Sequence, residues 1–352
     1  MQRCAFLKNK NSEALEKLKK GIISIALATL FFSTMEIALK ISAGSYNPIQ
    51  LTFLRFLIGG VVLVPLAVRE IKSKKLKLKL NDIGFFAMTG FICVVVSMIM
   101  FQLGVVYCPA SVVAVLFSCN SVFVVLFAYI MLAEKIYKHT VISIIVSVAG
   151  MMVIINPLHM SASLKGVIFS LIAAVTFALY NVIGRTRSDR YGGITLTCLS
   201  FLFGCAELAV LISLTYIPSA ARAFASSGLP MLAKIPLFSG ISADSLGGLI
   251  YVGVFVTGLG YTFYFMAMEE TSAATASLVF YLKPVLAPIF ALAVLGEPIT
   301  LNMLAGIILI IIGSFISFVP GIKLGKNKKL SEDIEEIKSE YEAEADETAI
   351  KP

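Results

Sequence analysis

The sequence predicts an all-α membrane protein of ten transmembrane helices, arranged as two inverted repeats of five helices each. Three observations support this fold class. Hydrophobic residues make up 58% of the 352 residues and charged residues only 14%, whereas soluble domains are about 45–50% apolar and about 25% charged. The apolar residues form runs of about 20, the length that crosses a bilayer as a helix. The second half of the chain also repeats the first.

The apolar runs are separated by short connections, except at two places. Lipid offers the backbone no hydrogen-bond partner, so runs of this length are predicted to be helices and not strands. The segment 69–82 is strongly basic, and the segment 218–245 contains several Pro and Gly residues that predict an irregular loop. The ten spans are expected at about 20–43, 49–68, 83–106, 110–132, 139–156, 165–186, 194–217, 246–268, 273–295 and 300–320.

The internal repeat follows from direct alignment of the two halves. Residues 20–59 align with residues 165–204, and residues 84–157 align without a gap with residues 247–320. Gly, Pro and Glu residues coincide as well as Leu and Val, which chance matching of apolar sequence does not explain. We therefore predict two repeat domains, residues 20–157 and 164–320, between an N-terminal segment, 1–19, and an acidic tail, 326–352.

The orientation of the repeats follows from the odd number of spans in each, because the second copy must then cross the membrane in the opposite direction. With the N-terminus in the cytoplasm, the basic segment 69–82 and three arginines after the sixth span lie inside, and the outer connections hold only three basic residues. This is the positive-inside pattern. We expect a multi-pass protein of the plasma or inner cell membrane with both termini cytoplasmic. No cleavage site follows the first run, so that span is expected to be a retained anchor.

Motifs of other protein classes are missing from the sequence. No Cys-x-x-Cys pair, phosphate-binding Gly-rich loop or nucleophile motif is present, and the two histidines lie near predicted connections. These observations predict no enzymatic activity, no metal and no cofactor. The basic connections are accounted for by the lipid bilayer, so no nucleic-acid partner is expected.

Lys283 is the most unusual residue of the apolar spans. It lies near the middle of the ninth span, where an unpaired charge costs about 2.5–3.5 kcal/mol on insertion scales. Pro284 and Pro288 follow it and cannot donate backbone hydrogen bonds. An interrupted helix with a charge at mid-membrane depth is typical of transporter binding sites. Lys283 is therefore expected to face a water-accessible cavity, the alternative being a structural pair with a buried carboxylate.

Glu36 is the carboxylate within the first span. It could bind a proton or a cationic group of a ligand, or it could pair with Arg55, which lies at a similar depth in the second span. Near the ends of the fourth and ninth spans, Glu134 and Glu297 are expected to cap the helices that follow them or to act at a hinge.

The repeat relates these polar residues in pairs, which we call twins. Glu36 aligns with Asn181, and Asn120 aligns with Lys283. Residues near the pseudo-two-fold axis come close to their twins, so the four side chains are expected to meet in one central cavity. One acid, one base and two amides would suit a zwitterion such as an amino acid, its ammonium at Glu36 and its carboxylate at Lys283.

Four further polar residues are second-rank candidates for the substrate site. Tyr180 is next to Asn181, and Tyr281 is two residues before Lys283. Tyr264 and Gln102 lie within apolar spans. Each could line the cavity or pack between helices.

With its two copies of five predicted helices, the chain resembles the EamA-type transporters of the drug/metabolite transporter superfamily. The resemblance covers about residues 20–320 and rests on a first helix that opens with Gly and ends in Lys40 or Arg185, an arginine in the second helix, and Leu-Ala-Glu or Leu-Gly-Glu after the fourth helix of each copy. The chain departs from the family in having no tryptophan, and the acidic tail lies outside the resemblance.

The resemblance implies a secondary transporter that exports small organic metabolites, amino acids among them, or drug-like compounds by alternating access, with protons as a candidate coupling ion. An exchanger of organic anions or phosphorylated metabolites is the alternative within transport. A membrane receptor or scaffold that recruits partners through the acidic tail is the alternative of another class.

Overall fold

The structure is a computed structural model and describes residues 2–133, 137–155, 163–219, 222, 226, 230–271, 273–276, 278–313, 315 and 316. Within these residues the regular structure is helical throughout. It includes nine helices long and apolar enough to cross a membrane and a shorter apolar helix, Leu301–Gly313. The predicted fold class, an all-α membrane protein of ten helices, is confirmed. The predicted acidic tail, 326–352, lies outside the described residues.

The ten helical elements are numbered α1 to α10 in chain order, and several consist of consecutive segments. Their bounds are α1 (Gln2–Ser33 and Met35–Ser42), α2 (Pro48–Ser73), α3 (Leu80–Gly90, Phe91–Ser97 and Met98–Tyr107), α4 (Ala110–Ser118 and Asn120–Leu132), α5 (Lys138–Ile155), α6 (Leu164–Tyr191), α7 (Gly193–Leu214), α8 (Ala243–Ile250, Tyr251–Leu259 and Gly260–Glu270), α9 (Ala273–Ala276 and Leu278–Leu295) and α10 (Leu301–Gly313).

The two repeats pack against each other in symmetric pairs. Helix α1 packs on α8 and α3 packs on α6, which is the same pairing with the repeats exchanged, and α2 packs on its own twin, α7. Helices α3 and α7 approach most closely at Gly90 and Gly204. A Cβ atom on Gly90 would lie 2.6 Å from the backbone nitrogen of Gly204, so only glycine permits this approach. The interface between the repeats therefore runs through the centre of the bundle.

The two ends of the bundle carry different connections. At one end, which we call the basic face, Arg190 pairs with Asp82 at 3.0 Å and Lys74 donates to the Asp189 carbonyl. At the other end, the opposite face, Asn47 donates to the Met231 carbonyl at 2.7 Å. The basic segment 69–82 and the described part of the segment 218–245 therefore lie at opposite ends, as inverted repeats require.

The structure differs from the prediction at three helices. Helix α9 is not interrupted at Lys283, because Pro284 and Pro288 each remove only one donor and the remaining hydrogen bonds keep Leu278–Leu295 helical. The breaks occur instead at Thr34 in α1 and at Cys119 in α4. Helix α1 also begins at Gln2, so residues 2–19 of the N-terminal segment extend the first span.

Paired π-helical segments occur at equivalent positions of the repeats. Phe91–Ser97 in α3 and Tyr251–Leu259 in α8 are π-helices, and they overlap in the alignment of residues 84–157 with 247–320. π-Helical turns are rare and frequent at functional sites. In each helix an α-helical segment follows directly, Met98–Tyr107 in α3 and Gly260–Glu270 in α8.

Candidate functional site

A cavity of about 530 Å³ lies between helices α4, α5, α6, α7, α8 and α9. Its volume is that of a site for a small organic molecule, since ligand pockets span about 300–1,000 Å³. The lining residues come from the halves of these helices that end at the basic face, from Asn120 in the middle of α4 to Ser188 and Gly193 at the turn between α6 and α7. The cavity therefore extends from the middle of the bundle toward one face only.

Five of the predicted site residues line this cavity. They are Asn120, Tyr180, Asn181, Tyr264 and Tyr281. The break at Cys119 positions Asn120, whose amide nitrogen donates to the Phe117 carbonyl at 2.8 Å. Two amides and three tyrosines give the cavity neutral donors and acceptors among its apolar walls.

Glu36 and Lys283 do not line the cavity. Lys283 Nζ lies 2.6 Å from Glu36 Oε1, and the two residues are 2% and 1% exposed. The prediction that Lys283 faces a water-accessible cavity is not met in this conformation, because its charge is used in the pair. The alternative pairing of Glu36 with Arg55 is likewise replaced by the pair with Lys283. The ammonium also lies over the Phe117 ring, 5.3 Å from its centroid.

Gln102 is also buried outside the lining. It is fully buried in α3, and neither its amide oxygen nor its amide nitrogen has a hydrogen-bond partner among the described residues. Its twin, Phe265, lines the cavity in its place. The sequence predicted the depth of Gln102 in the membrane, but depth does not determine which half of the pathway is open.

Arg55 is a buried charge whose environment the sequence did not predict. It is 1% exposed, and its guanidinium contacts the thioether sulfurs of Met98 at 3.3 Å and Met35 at 3.8 Å. Its Cζ lies 4.3 Å from the centre of the Phe56 ring. Thioethers are weak acceptors, and no carboxylate lies within ion-pair distance of Arg55 in the part of the chain that the structure describes.

The bundle is closed at the opposite face by hydrogen bonds between helices. Glu297, after α9, accepts from the backbone N–H groups of Ala110 and Ser111 at 2.8 and 2.9 Å and from the Ser111 hydroxyl at 2.6 Å. It therefore caps α4 and not, as predicted, the helix that follows it. Lys40 donates to the carbonyls of Val105 and Cys108 at the end of α3. Glu134, the twin of Glu297, lies outside the described residues.

Several lining residues gave no signal in the sequence. The aromatic rings of Phe177, Phe265 and Phe280 form part of the wall. The sequence does not distinguish a phenylalanine that faces lipid from one that faces the core or a cavity. Ser143 and Ser147 of α5 also line the cavity. Their spacing of four residues, one helical turn, places them on one face of α5 and could have indicated a polar lining.

No set of three or more His, Cys, Asp and Glu residues that could hold a metal ion occurs among the described residues. The polar lining of the cavity consists of hydroxyl and amide groups and the guanidinium of Arg185. These groups can hydrogen-bond an organic molecule and orient it.

Comparison with known proteins assigns the architecture to a family. A model of the EamA-like transporter family matches residues 19–156 and again residues 164–319. A solved structure with 17% sequence identity superposes with a TM-score of 0.59, covering 85% of this chain and 95% of that one. At this identity the likeness concerns the fold alone.

Relatives with higher sequence identity are described as transporters. An "Uncharacterized transporter" of Clostridium kluyveri is 42% identical over 89% of this chain and 98% of its own length. A "Probable terminal-alkyne amino-acid exporter" of Streptantibioticus cattleyicolor is 22% identical over 80% of this chain and 87% of its own. The described cavity, the paired helices of two repeats and the family model covering both repeats agree: this chain belongs to the EamA-like transporter family.

Proposed function

We propose that this protein is a secondary transporter that exports small organic metabolites, amino acids among them, or drug-like compounds by alternating access. The observation that carries the proposal is the one-sided cavity: it extends from mid-membrane to the basic face, and hydrogen bonds of Glu297 and Lys40 close the bundle at the opposite face. In inverted-repeat transporters, exchanging the conformations of the two repeats opens the other side. Export follows if the basic face is cytoplasmic, as the positive-inside pattern predicts.

The lining of the cavity supports a small organic substrate. Tyrosine and asparagine side chains lie among phenylalanine and aliphatic residues, the combination of apolar wall and few polar groups that binds such ligands. An amino-acid substrate is supported by the zwitterion argument from Glu36 and Lys283 and by the described activity of one relative. In this conformation the two charges neutralise each other, so a zwitterion could engage them only after their pair opens.

Protons are the proposed coupling ion, and Glu36 is the group proposed to bind them. A proton on Glu36 would remove the charge that holds Lys283, 2.6 Å away. Protonation and opening of the pair would then be one event, which is how a proton gradient can bias a two-state bundle.

The exchange of organic anions is the second candidate function. Such an exchanger would bind the anion through Lys283 and would not need Glu36. Since the two form one buried pair, loss of either residue leaves the other unpaired, and single substitutions no longer discriminate. The double substitution of Glu36 and Lys283 by Met leaves no unpaired charge and tests both functions together: transport that depends on either charge would stop, whereas transport that uses neither would persist. The chemistry of the substrate separates the two functions, because exchange of anions requires no ammonium group on the substrate.

Flux measurements on the purified chain in proteoliposomes test the proposal. Efflux of a panel of amino acids and small organic acids and amines is followed with and without a pH gradient, against empty liposomes and against Asn120→Leu, which alters the cavity wall. We expect flux of at least one amino acid, reduced in Asn120→Leu and dependent on the pH gradient. Folded protein that moves no member of the panel would contradict the proposal and favour the receptor or scaffold alternative.

A further inference from the structure

The cavity has a symmetric counterpart in the closed half of the bundle. Twins of the lining residues are found by the same alignment: Met35 for Tyr180, Met98 for Tyr261, Gln102 for Phe265, and the already paired Glu36 and Lys283 for Asn181 and Asn120. None of these five twins is more than 8% exposed. These cavity-lining residues thus have buried twins in the opposite half of the bundle.

Unsatisfied polar atoms are concentrated in this closed half. Side-chain atoms of Ser33, Ser42, Arg55 and Gln102 are buried without a hydrogen-bond partner among the described residues, as is Oε2 of Glu36, whose Oε1 is held by Lys283. Outside this group only Glu207 Oε2 shares that property. Buried polar groups are nearly always satisfied by protein, water or ligand. Five such side chains in one half of the bundle indicate a surface that is solvated in another conformation.

Arg55 gives this surface its chemical character. The thioethers that accept from it, those of Met35 and Met98, both belong to twins of cavity-lining tyrosines, so the guanidinium lies directly behind the closed wall. Met35 adjoins Glu36 in sequence, and Gln102 is one helical turn from Met98 on the same side of α3. Glu36 is already paired with Lys283. The three buried charges therefore leave one positive charge, that of Arg55, without a counter-ion among the described residues.

We propose that the closed half becomes a second substrate site when the bundle opens to the opposite face, and that Arg55 binds the carboxylate of the substrate there. This inference rests on the proposed alternating access and narrows the substrate class to small molecules that carry a carboxylate. Guanidinium groups bind carboxylates with two parallel hydrogen bonds. Gln102 supplies a donor and an acceptor beside it. In the open half the position of Arg55 is taken by Ser200, and the cation of that half, Arg185, lies further along α6 toward the basic face.

Accessibility of twin cysteines tests the position of the site. In a full-length chain whose six native cysteines are replaced, Ser118→Cys reports the closed half and Tyr281→Cys, its twin, reports the open half. A membrane-impermeant thiol reagent should label the two positions from opposite sides of proteoliposomes. Absence of labelling at Ser118→Cys from either side would contradict alternating access and, with it, the second site.

Protection of Ser118→Cys by matched ligands tests the chemistry. Leucine, isocaproate (leucine without the ammonium) and isoamylamine (leucine without the carboxylate) share one side chain. With Arg55 present, leucine and isocaproate should slow labelling and isoamylamine should not. Arg55→Gln and Arg55→Met should weaken protection by about tenfold or more in ligand concentration, and Arg55→Lys should keep part of it.

The two failures are distinguishable. Suppose that Ser118→Cys is labelled from the opposite side, so that alternating access holds. Equal protection by isoamylamine and isocaproate, or protection that is unchanged in Arg55→Met, would then overturn the carboxylate site alone. Unprotected labelling rates of the Arg55 variants serve as the folding control. If Arg55→Gln does not fold, Arg55→Met, whose apolar side chain suits the thioether surroundings, gives the same comparison.

Discussion

Replacing Lys283 alone should damage the protein more than replacing it together with Glu36. The two charges lie 2.6 Å apart and are almost fully buried. At an effective dielectric constant of about 20, unit charges at this distance attract each other by about 6 kcal/mol. Desolvation offsets much of this attraction, so the pair itself adds little net stability, but removing one partner typically costs about 3–5 kcal/mol because a buried charge is left alone.

A double-mutant cycle measures this coupling. Lys283→Met and Glu36→Met should each lower the midpoint of thermal unfolding, by roughly 5–10 °C, and the double variant should recover most of the loss because apolar side chains of similar volume replace the pair. Lys40→Met is the matched control, since Lys40 donates only to backbone carbonyls near the end of the bundle. A thiol-reactive dye suits the assay because the five cysteines with described burial are all buried.

The result that would refute the reasoning is additivity. If the two single substitutions each cost about 1 kcal/mol or less and their costs simply add, the charges are not coupled in the resting protein. The proposed link between protonation of Glu36 and release of Lys283 would then lose its basis.

Three further predictions concern the closed face, the contact between repeats and the tail. Glu297→Gln removes one acceptor of the α4 cap and should shift the equilibrium toward the state open at the opposite face by roughly tenfold. This shift would be measured as faster labelling of Ser118→Cys, and unchanged labelling would show that the cap does not hold the closed state. Gly90→Val places a side chain against the backbone of Gly204 and should lower the unfolding midpoint or abolish folding, whereas Gly84→Val, with open space around its Cβ, should be tolerated; equal effects would argue against close packing there. Deletion of residues 327–352 should leave flux in proteoliposomes unchanged, and its loss would favour the scaffold alternative.

The sequence was sufficient to predict the number of helices and their relation by inverted symmetry. Those features depend on the length of apolar runs and on the coincidence of Gly, Pro and Glu residues between the halves. Both can be found in the sequence without knowing how the helices pack. The side of the bundle to which each connection belongs followed from its basic residues. The alignment also identified Asn120 and Asn181, which line the cavity.

The partner of Glu36 could not be predicted from the sequence. Position along a span gives the depth of a residue, and Arg55 and Lys283 both lie at suitable depths, but the rotation of each helix about its axis decides which of them meets the carboxylate. That rotation depends on packing between repeats, such as the contact of Gly90 with Gly204. The π-helical segments, which change the rotation within α3 and α8, likewise have no signature in the sequence.

The state of the bundle was the second unpredictable quantity. Gln102 and Phe265 are twins, and the alignment of the repeats assigns both to the substrate pathway. The alignment does not determine which half of the pathway is open. The packing of whole helices determines that only the basic-face half is open here. The site predicted from the sequence therefore combined residues of both half-cavities. A single conformation has only one of these half-cavities open.

Distances across both ends of the bundle test the central claim of alternating half-cavities most directly. Spin labels at His139 and Ser188 span the mouth on the basic face, and labels at their twins, Asn302 and Ala43, span the opposite end. Pulsed electron-resonance distances in lipid should change in opposite directions: any ligand or pH that lengthens the Asn302–Ala43 distance should shorten the His139–Ser188 distance. Distances that stay fixed under all conditions, or that lengthen together, would contradict the account.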